Sequence, residues 1–201
     1  MPNLLQVVVS LGQVFDGLQI PFAIGGAIAN NYWGVVRTTQ DIDCLISVPA
    51  IKYQALADAL NNLGCTIADD NQQQVPVSVP ELLKQAKTRK LIECFKDRIR
   101  IEMFVPAVPL QEEILRRAIS IPIGDQQIRI TTAEDLILLK LAFHRIKDLQ
   151  DVRGIAWLQR GKLDIDYLRR WSARTHEPEV QAELEQLIHD YSGGGPDGET
   201  R

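Results

Sequence analysis

Residues 24–45 read Ile24-Gly25-Gly26-Ala27-Ile28-Ala29-Asn30-Asn31-Tyr32-Trp33-Gly34-Val35-Val36-Arg37-Thr38-Thr39-Gln40-Asp41-Ile42-Asp43-Cys44-Leu45. A glycine pair comes first, then a short apolar-patterned segment, then Arg37 and Thr39. Asp41 and Asp43 follow, at the head of a run continuing to Val48 that reads as a strand. Side chains on a strand alternate between faces, so the two carboxylates project to the same side. Side by side they repel each other. Both stay ionised comfortably only with positive charge between them, most simply a hard divalent cation taking oxygen ligands. Gly25-Gly26 lets the backbone approach a ligand closely, and N–H groups at the start of the following helix suit phosphate. Glycines for phosphate followed by Asp-x-Asp for metal describe chemistry rather than folding.

Upstream, apolar residues at Leu4, Val7, Val8, Leu11, Val14, Phe15 and Leu18 have helical spacing, with Asn3 as N-cap. Pro21 to Ile24 reads as a short strand leading into the glycine pair, and a helix over Ala27–Tyr32 stops near Gly34. Downstream, Pro49 to Leu63 reads as a helix that starts at proline and is stopped by Gly64. A strand over Cys65–Ala68 runs into a polar turn, 69–74. The prolines before Glu81–Lys87 suggest a loop around a short helix. Leu91–Phe95 and Arg98–Val105 form a hairpin, its second strand alternating Ile99, Ile101, Met103 and Val105 against Arg98, Arg100 and Glu102. Pro109–Ala118 is a helix, and Ile119–Thr131 two strands around Gly124-Asp125.

From Thr132 the pattern turns wholly helical. A long helix capped by Thr131 or Thr132 runs towards Asp148, with a break expected before or at Gly154. Helices follow over Val152–Gln159, Asp164–Arg174 and Pro178–Tyr191. The expected organisation is a mixed αβ core over 1–131, a helical part over 132–191 and a flexible tail over 192–201.

The chain has 201 residues, of which 45% are hydrophobic and 24% charged, ample for a buried core. A net charge of −4 signals no extended basic face, so DNA is not expected as a partner. The three cysteines, Cys44, Cys65 and Cys94, are scattered, which argues for free thiols in a reducing cytoplasm and against structural zinc. No apolar run approaches the roughly 20 residues of a membrane span, and the N-terminus carries no cleavable signal pattern.

The glycine pair, the helix and the strand bearing Asp-x-Asp together resemble the nucleotidyltransferase superfamily. The longer insert ending in Arg37-x-Thr39-x-Asp41-Ile42-Asp43 looks most like the bacterial abortive-infection (AbiEii-type) nucleotidyltransferases. Gly26 stands where the superfamily has either Gly or Ser. The resemblance implies an α+β fold, a mixed β-sheet flanked by helices with a helical C-terminal part. It implies transfer of a nucleoside monophosphate from NTP to a hydroxyl acceptor, with Mg²⁺ in a two-metal site held by Asp41, Asp43 and a third carboxylate. Glu102 fills the third place, with Glu93 and Asp97 as nearby rivals. Gly25, Gly26 and Arg37 are assigned to the nucleotide. Thr39 is read with them, or as support for its turn, while Arg37 could equally pack on the first aspartate or cap the preceding helix.

Lys140, His144, Asp148 and Asp151 would share one face of a continuous helix, ordinarily a solvated stripe. The segment Lys140–Asp151 also resembles a second motif of the AbiEii type. That resemblance makes Lys140 a triphosphate contact and Asp148 its positioning residue. Some members of that family are toxins that modify tRNA and are neutralised by an antitoxin, so tRNA or another RNA and an antitoxin protein are the implied partners. A small-molecule acceptor and a catalytically silent nucleotide-binding module are the alternatives.

Overall fold

The computed structural model describes residues 3–192. In chain order the elements are α1 (Leu4–Gly17), β1 (Phe22–Ile24), α2 (Gly26–Trp33), β2 (Asp41–Ile46), α3 (Tyr53–Asn62), β3 (Thr66–Ala68), β4 (Gln74–Pro76), α4 (Val79–Arg89), β5 (Leu91–Lys96) and β6 (Ile99–Phe104). They continue as α5 (Pro109–Arg117), β7 (Ile119–Ile123), β8 (Gln126–Ile130), α6 (Ala133–Phe143), α7 (Ile146–Leu158), α8 (Ile165–Thr175) and α9 (Pro178–Ser192). Of the tail expected over 192–201, Ser192 is the last residue of α9, and the rest lies outside the described residues. Contacts divide the chain into two compact units. The first holds residues up to Ile28 and Thr38–Thr131; the second holds Ala29–Arg37 together with the chain from Thr132.

The first unit is built on a mixed eight-stranded sheet in the order β4-β3-β5-β6-β2-β1-β8-β7. β2 pairs parallel with β6 and antiparallel with β1, which in turn pairs parallel with β8. All three residues of the inner strand β1 are buried. α1 begins with a reciprocal cap: Asn3 Oδ1 accepts from Leu5 N–H and Gln6 Oε1 from Asn3 N–H. Its stripe of Val7, Val8, Leu11 and Phe15 is buried, and a methyl at Gly12 would meet Ile128 of β8 at 3.3 Å, so the helix lies tight on the sheet.

Three local expectations need correction. The polar turn over 69–74 is shorter than expected, because Gln74–Pro76 pairs antiparallel with β3 as an edge strand. Pro49 leads into a 3-10 turn over Ala50–Lys52 before α3 begins. α4 is a full helix in which Pro80 sits in the first turn, where its missing N–H costs nothing.

The second unit is a helical cluster around α6, which packs against α7, α8 and α9. Leu136, Ile137, Leu138 and Leu141 are all buried, as befits a central helix without a polar face. The expected long helix is two. His144 ends α6 in the left-handed region at φ 52°, its N–H donating to Lys140 O, and α7 starts afresh after Arg145. The break does fall before Gly154, but ahead of Asp148, so α7 begins at Ile146 rather than near Val152. Gly154 lies inside α7, where a methyl would stand 3.0 Å from Val35. Glycine is there for packing, not for a turn.

Candidate active site

The parallel register of β2 on β6 sets Asp41 opposite Arg100 and Asp43 opposite Glu102. Ile42, Cys44, Ile101 and Met103 alternate with them and are buried. Burying that apolar set fixes the register, and the register gathers the charged set on the other face. Glu93 lies opposite Glu102 on β5, one strand further from Asp43, and is paired with Arg89 at 3.2 Å. Asp97 sits in the β5–β6 turn at φ 54°. Of the three rival carboxylates, Glu102 is the one beside Asp43.

Arg100 lies across two of the carboxylates. Its Nη2 stands 3.3 Å and its Nε 3.4 Å from Asp41, and its Nη1 stands 3.5 Å from Glu102 Oε1. The hydrogen bond to Asp41 raises the Arg100 pKa further above its usual value. Burial pushes the Glu102 carboxyl above the ordinary glutamate range. The neighbouring Asp43, by charge and by hydrogen bond, adds to that rise, and Arg100 opposes it.

The glycine pair is joined to this site. Gly25 N–H donates to Asp43 O at 2.8 Å. Gly26 has φ +54°, and a Cβ there would come within 2.6 Å of Asp43 Cγ. Gly26 is therefore required twice, by its backbone conformation and by the carboxylate against it. Thr39 stands at the head of β2, where its Oγ1 accepts from Asp41 N–H at 3.1 Å.

Asp41, Asp43 and Glu102 offer only carboxylate oxygens, the donor set of a hard divalent cation. Among the described residues no group of three or more acidic, His or Cys side chains stands drawn together around a cation position. The Arg100 guanidinium lies between Asp41 and Glu102. The donor set is of the type a hard cation takes.

A second charged cluster lies within the helical unit. Lys140 is 4% exposed, with its Nζ 2.5 Å from Asp151 Oδ2 and 3.6 Å from Asp148 Oδ1. Asp151, rather than Asp148, is its nearest partner. Arg37 forks onto the same Asp151, Nε at 3.1 Å and Nη2 at 3.1 Å. Arg145 holds Asp148 at 2.5 Å. Burial raises the Asp148 pKa, but the hydrogen bond and charge of Arg145, with Lys140, outweigh it and hold the carboxyl below its usual range. The lysine is not snorkelling to solvent. His144 is exposed at the end of α6, 2.6 Å from Glu183.

Sequence reasoning missed the place of Arg100, the contact of Gly26 with Asp43, and the closing of both Lys140 and Arg37 on Asp151. Arg100 left one signal, its alternation with Glu102 on a strand. Its meaning depends on a pairing with β2, 59 residues away.

Solved structures share the fold at low sequence identity. The solution structure of the antibiotic-resistance factor ANT(2'')-Ia aligns at TM-score 0.54 and 14% identity, covering 92% of this chain and 98% of that one. A crystal structure of ANT(2'')-Ia in complex with adenylyl-2''-tobramycin aligns at 0.51 and 12% identity, covering 93% and 97%. The lincosamide antibiotic adenylyltransferase LnuA, lincomycin-bound, aligns at 0.48 and 13%, covering 75% and 93%. No curated protein sequence matches significantly. The family model for a nucleotidyl transferase of unknown function (DUF2204) matches residues 4–188, almost the whole chain. The chain belongs to that family, and with it to the nucleotidyltransferases, as an enzyme.

Proposed function

We propose that this enzyme transfers a nucleoside monophosphate from an NTP to a hydroxyl acceptor in a Mg²⁺-dependent reaction, and that it stands nearest to the abortive-infection, AbiEii-type enzymes. The observation that carries the reading is the β2–β6 register, which sets Asp43 beside Glu102 with Asp41 on the same face. Asp41, Asp43 and Glu102 are the residues that would hold Mg²⁺. When bound, the cation would neutralise phosphate charge and activate the attacking hydroxyl, and two ions are expected by the two-metal logic of such sites.

The chain's own groups have separate tasks. Gly25-Gly26 cradles the phosphates: the Gly25 N–H is engaged by Asp43 O, so the donors to phosphate oxygens are the N–H groups from Gly26 into the first turn of α2. The Glu102 carboxylate polarises the acceptor hydroxyl and takes up its proton. The acceptor oxygen bonds to the α-phosphorus while the bond to the β-phosphate oxygen breaks, and pyrophosphate leaves. Lys140 is retained as a triphosphate contact, which requires its ammonium to exchange Asp151 for a phosphate. Asp148 keeps the positioning role. Arg37 and Thr39 are nucleotide-side residues whose present partners are Asp151 and the Asp41 backbone.

The acceptor proposed first is an RNA such as tRNA, with an antitoxin protein as partner if the enzyme is a toxin. A small hydroxylated molecule is the second reading. It is favoured by a fold match spanning nearly all of ANT(2'')-Ia, whose crystal structure holds adenylyl-2''-tobramycin. The test is incubation with each α-labelled NTP, Mg²⁺ and either total cellular RNA or a small-molecule extract, followed by separation of the labelled product. Label in RNA supports the first acceptor and label in the extract the second. NTP binding with no label in either would leave a nucleotide-binding module. Asp41→Asn and Asp43→Asn should each abolish labelling while leaving the melting temperature within a few degrees, since neither carboxylate belongs to the core. Near wild-type turnover in either variant would overturn the assignment.

A further inference from the structure

We propose that Arg100 is the internal counter-cation of the carboxylate site. It holds the place of a divalent cation and, when the cation binds, passes its guanidinium to a phosphate oxygen of the nucleotide. The inference rests on the reading of Asp41, Asp43 and Glu102 as cation ligands. Those three residues and Arg100 form one quartet on adjacent strands, three negative charges and one positive. The guanidinium contacts Asp41 and Glu102 at 3.3 Å and 3.5 Å. Arg100 cannot be a metal ligand, because its five N–H groups only donate. A cation that takes Asp41 and Glu102 must therefore displace it.

The strength of these contacts separates a displaceable partner from a structural staple. The Arg100 side chain is 42% exposed and that of Asp41 43%, and both ion pairs are long. The same protein shows what a fixed pair looks like in Lys140–Asp151, at 2.5 Å and almost wholly buried. A half-exposed pair such as Arg100–Asp41 contributes little. Glu102 is less exposed, its side chain at 17%, but its contact with Arg100 is the longer of the two, so Arg100 can turn away without opening the core. A guanidinium released beside a bound nucleotide finds a better partner in phosphate, whose oxygens match its fork. Cation and nucleotide then bind cooperatively, each providing a new partner for a group the other needs freed.

The test uses the intact protein. Mn²⁺ is titrated without nucleotide and its free concentration followed by electron paramagnetic resonance; ATP is titrated calorimetrically in saturating Ca²⁺. Arg100→Ala should bind Mn²⁺ roughly three- to tenfold more tightly, the size expected for releasing two surface-strength pairs. It should bind ATP more weakly. Arg98→Ala, which removes an exposed arginine from the β5–β6 turn, should change both affinities by less than about twofold. Arg100→Gln gives a second variant should the alanine fold poorly. Equal Mn²⁺ affinity in wild type and both Arg100 variants would overturn the proposal and leave the carboxylates standing as cation ligands. So would equal gains in Arg98→Ala and Arg100→Ala. Absence of Mn²⁺ binding in every protein would overturn the cation site itself.

Discussion

The two glycines of the pair do different work. A methyl at Gly25 would meet only ordinary contacts, Thr131 Cγ2 at 3.8 Å and Asp43 O at 3.9 Å, whereas one at Gly26 would enter the Asp43 carboxylate. Gly25→Ala should therefore keep stability within about 1 kcal/mol, while Gly26→Ala adds backbone strain of about 1–2 kcal/mol to a displaced ligand. Its transfer rate should fall at least 100-fold; a Gly26→Ala enzyme with normal turnover would show that Asp43 has room to move. Serine, the superfamily's alternative at this place, would meet the same obstacle on this backbone. Lys140 is the other residue whose setting decides its behaviour. Removing it leaves Asp148 and Asp151 buried with only their arginines, so Lys140→Ala should lose about 2–4 kcal/mol of stability, read from denaturant melts. Its charge among leucines was legible as costly and therefore partnered. That Asp151 is the nearest partner was not, because it depends on the chain reversing at His144.

Elements marked by period and punctuation were legible. α1 with its Asn3 cap, the β5–β6 hairpin and α8 behind Asp164 all fall where alternation, helical spacing and capping residues put them. The failures share a cause. A non-glycine residue ends α6, and a polar segment pairs as β4, so tertiary contacts overrode weak local signals. α8 ends at His176, which makes a pH-sensitive connection to α6. One ring nitrogen lies 3.0 Å from Leu138 O and the other 3.1 Å from Ser172 Oγ. Burial pushes the imidazole pKa below its ordinary value, opposed by the Leu138 hydrogen bond. The folded chain thus refuses a proton that the unfolded chain accepts, and stability falls as pH drops below about 6.5. Melting curves should show that decline, and His176→Gln should flatten it. Asp148 acts in a separate window, losing its stabilising contribution only as pH falls below about 3.8, the unfolded carboxyl value.

Across the molecule the chemistry of the three thiols is uniform. All are buried. Burial pushes Cys65 up to about 11 and raises Cys44 and Cys94 as well, so thiolate is scarce near neutrality. A thiol reagent should label none of them in the native protein and all three after denaturation; rapid native labelling would contradict the packing of β2, β3 and β5. The order of a mixed core followed by helices was legible from the change of period at Thr131. The membership of Ala29–Arg37 in the helical unit was not, since it is decided by Arg37 on Asp151 and Gly34 on Ile155. That membership has a consequence on the ribosome. Arg37 is synthesised 114 residues before Asp151, which at 5–20 residues per second is a wait of roughly 6–23 s. During that interval residues 29–37 have only one another to bond to, as in Asn30–Val35 and Asn31–Arg37, and lack Asp151 and Ile155. A nascent chain arrested just after Thr131 should therefore be cut by trypsin at Arg37, and the released protein should resist.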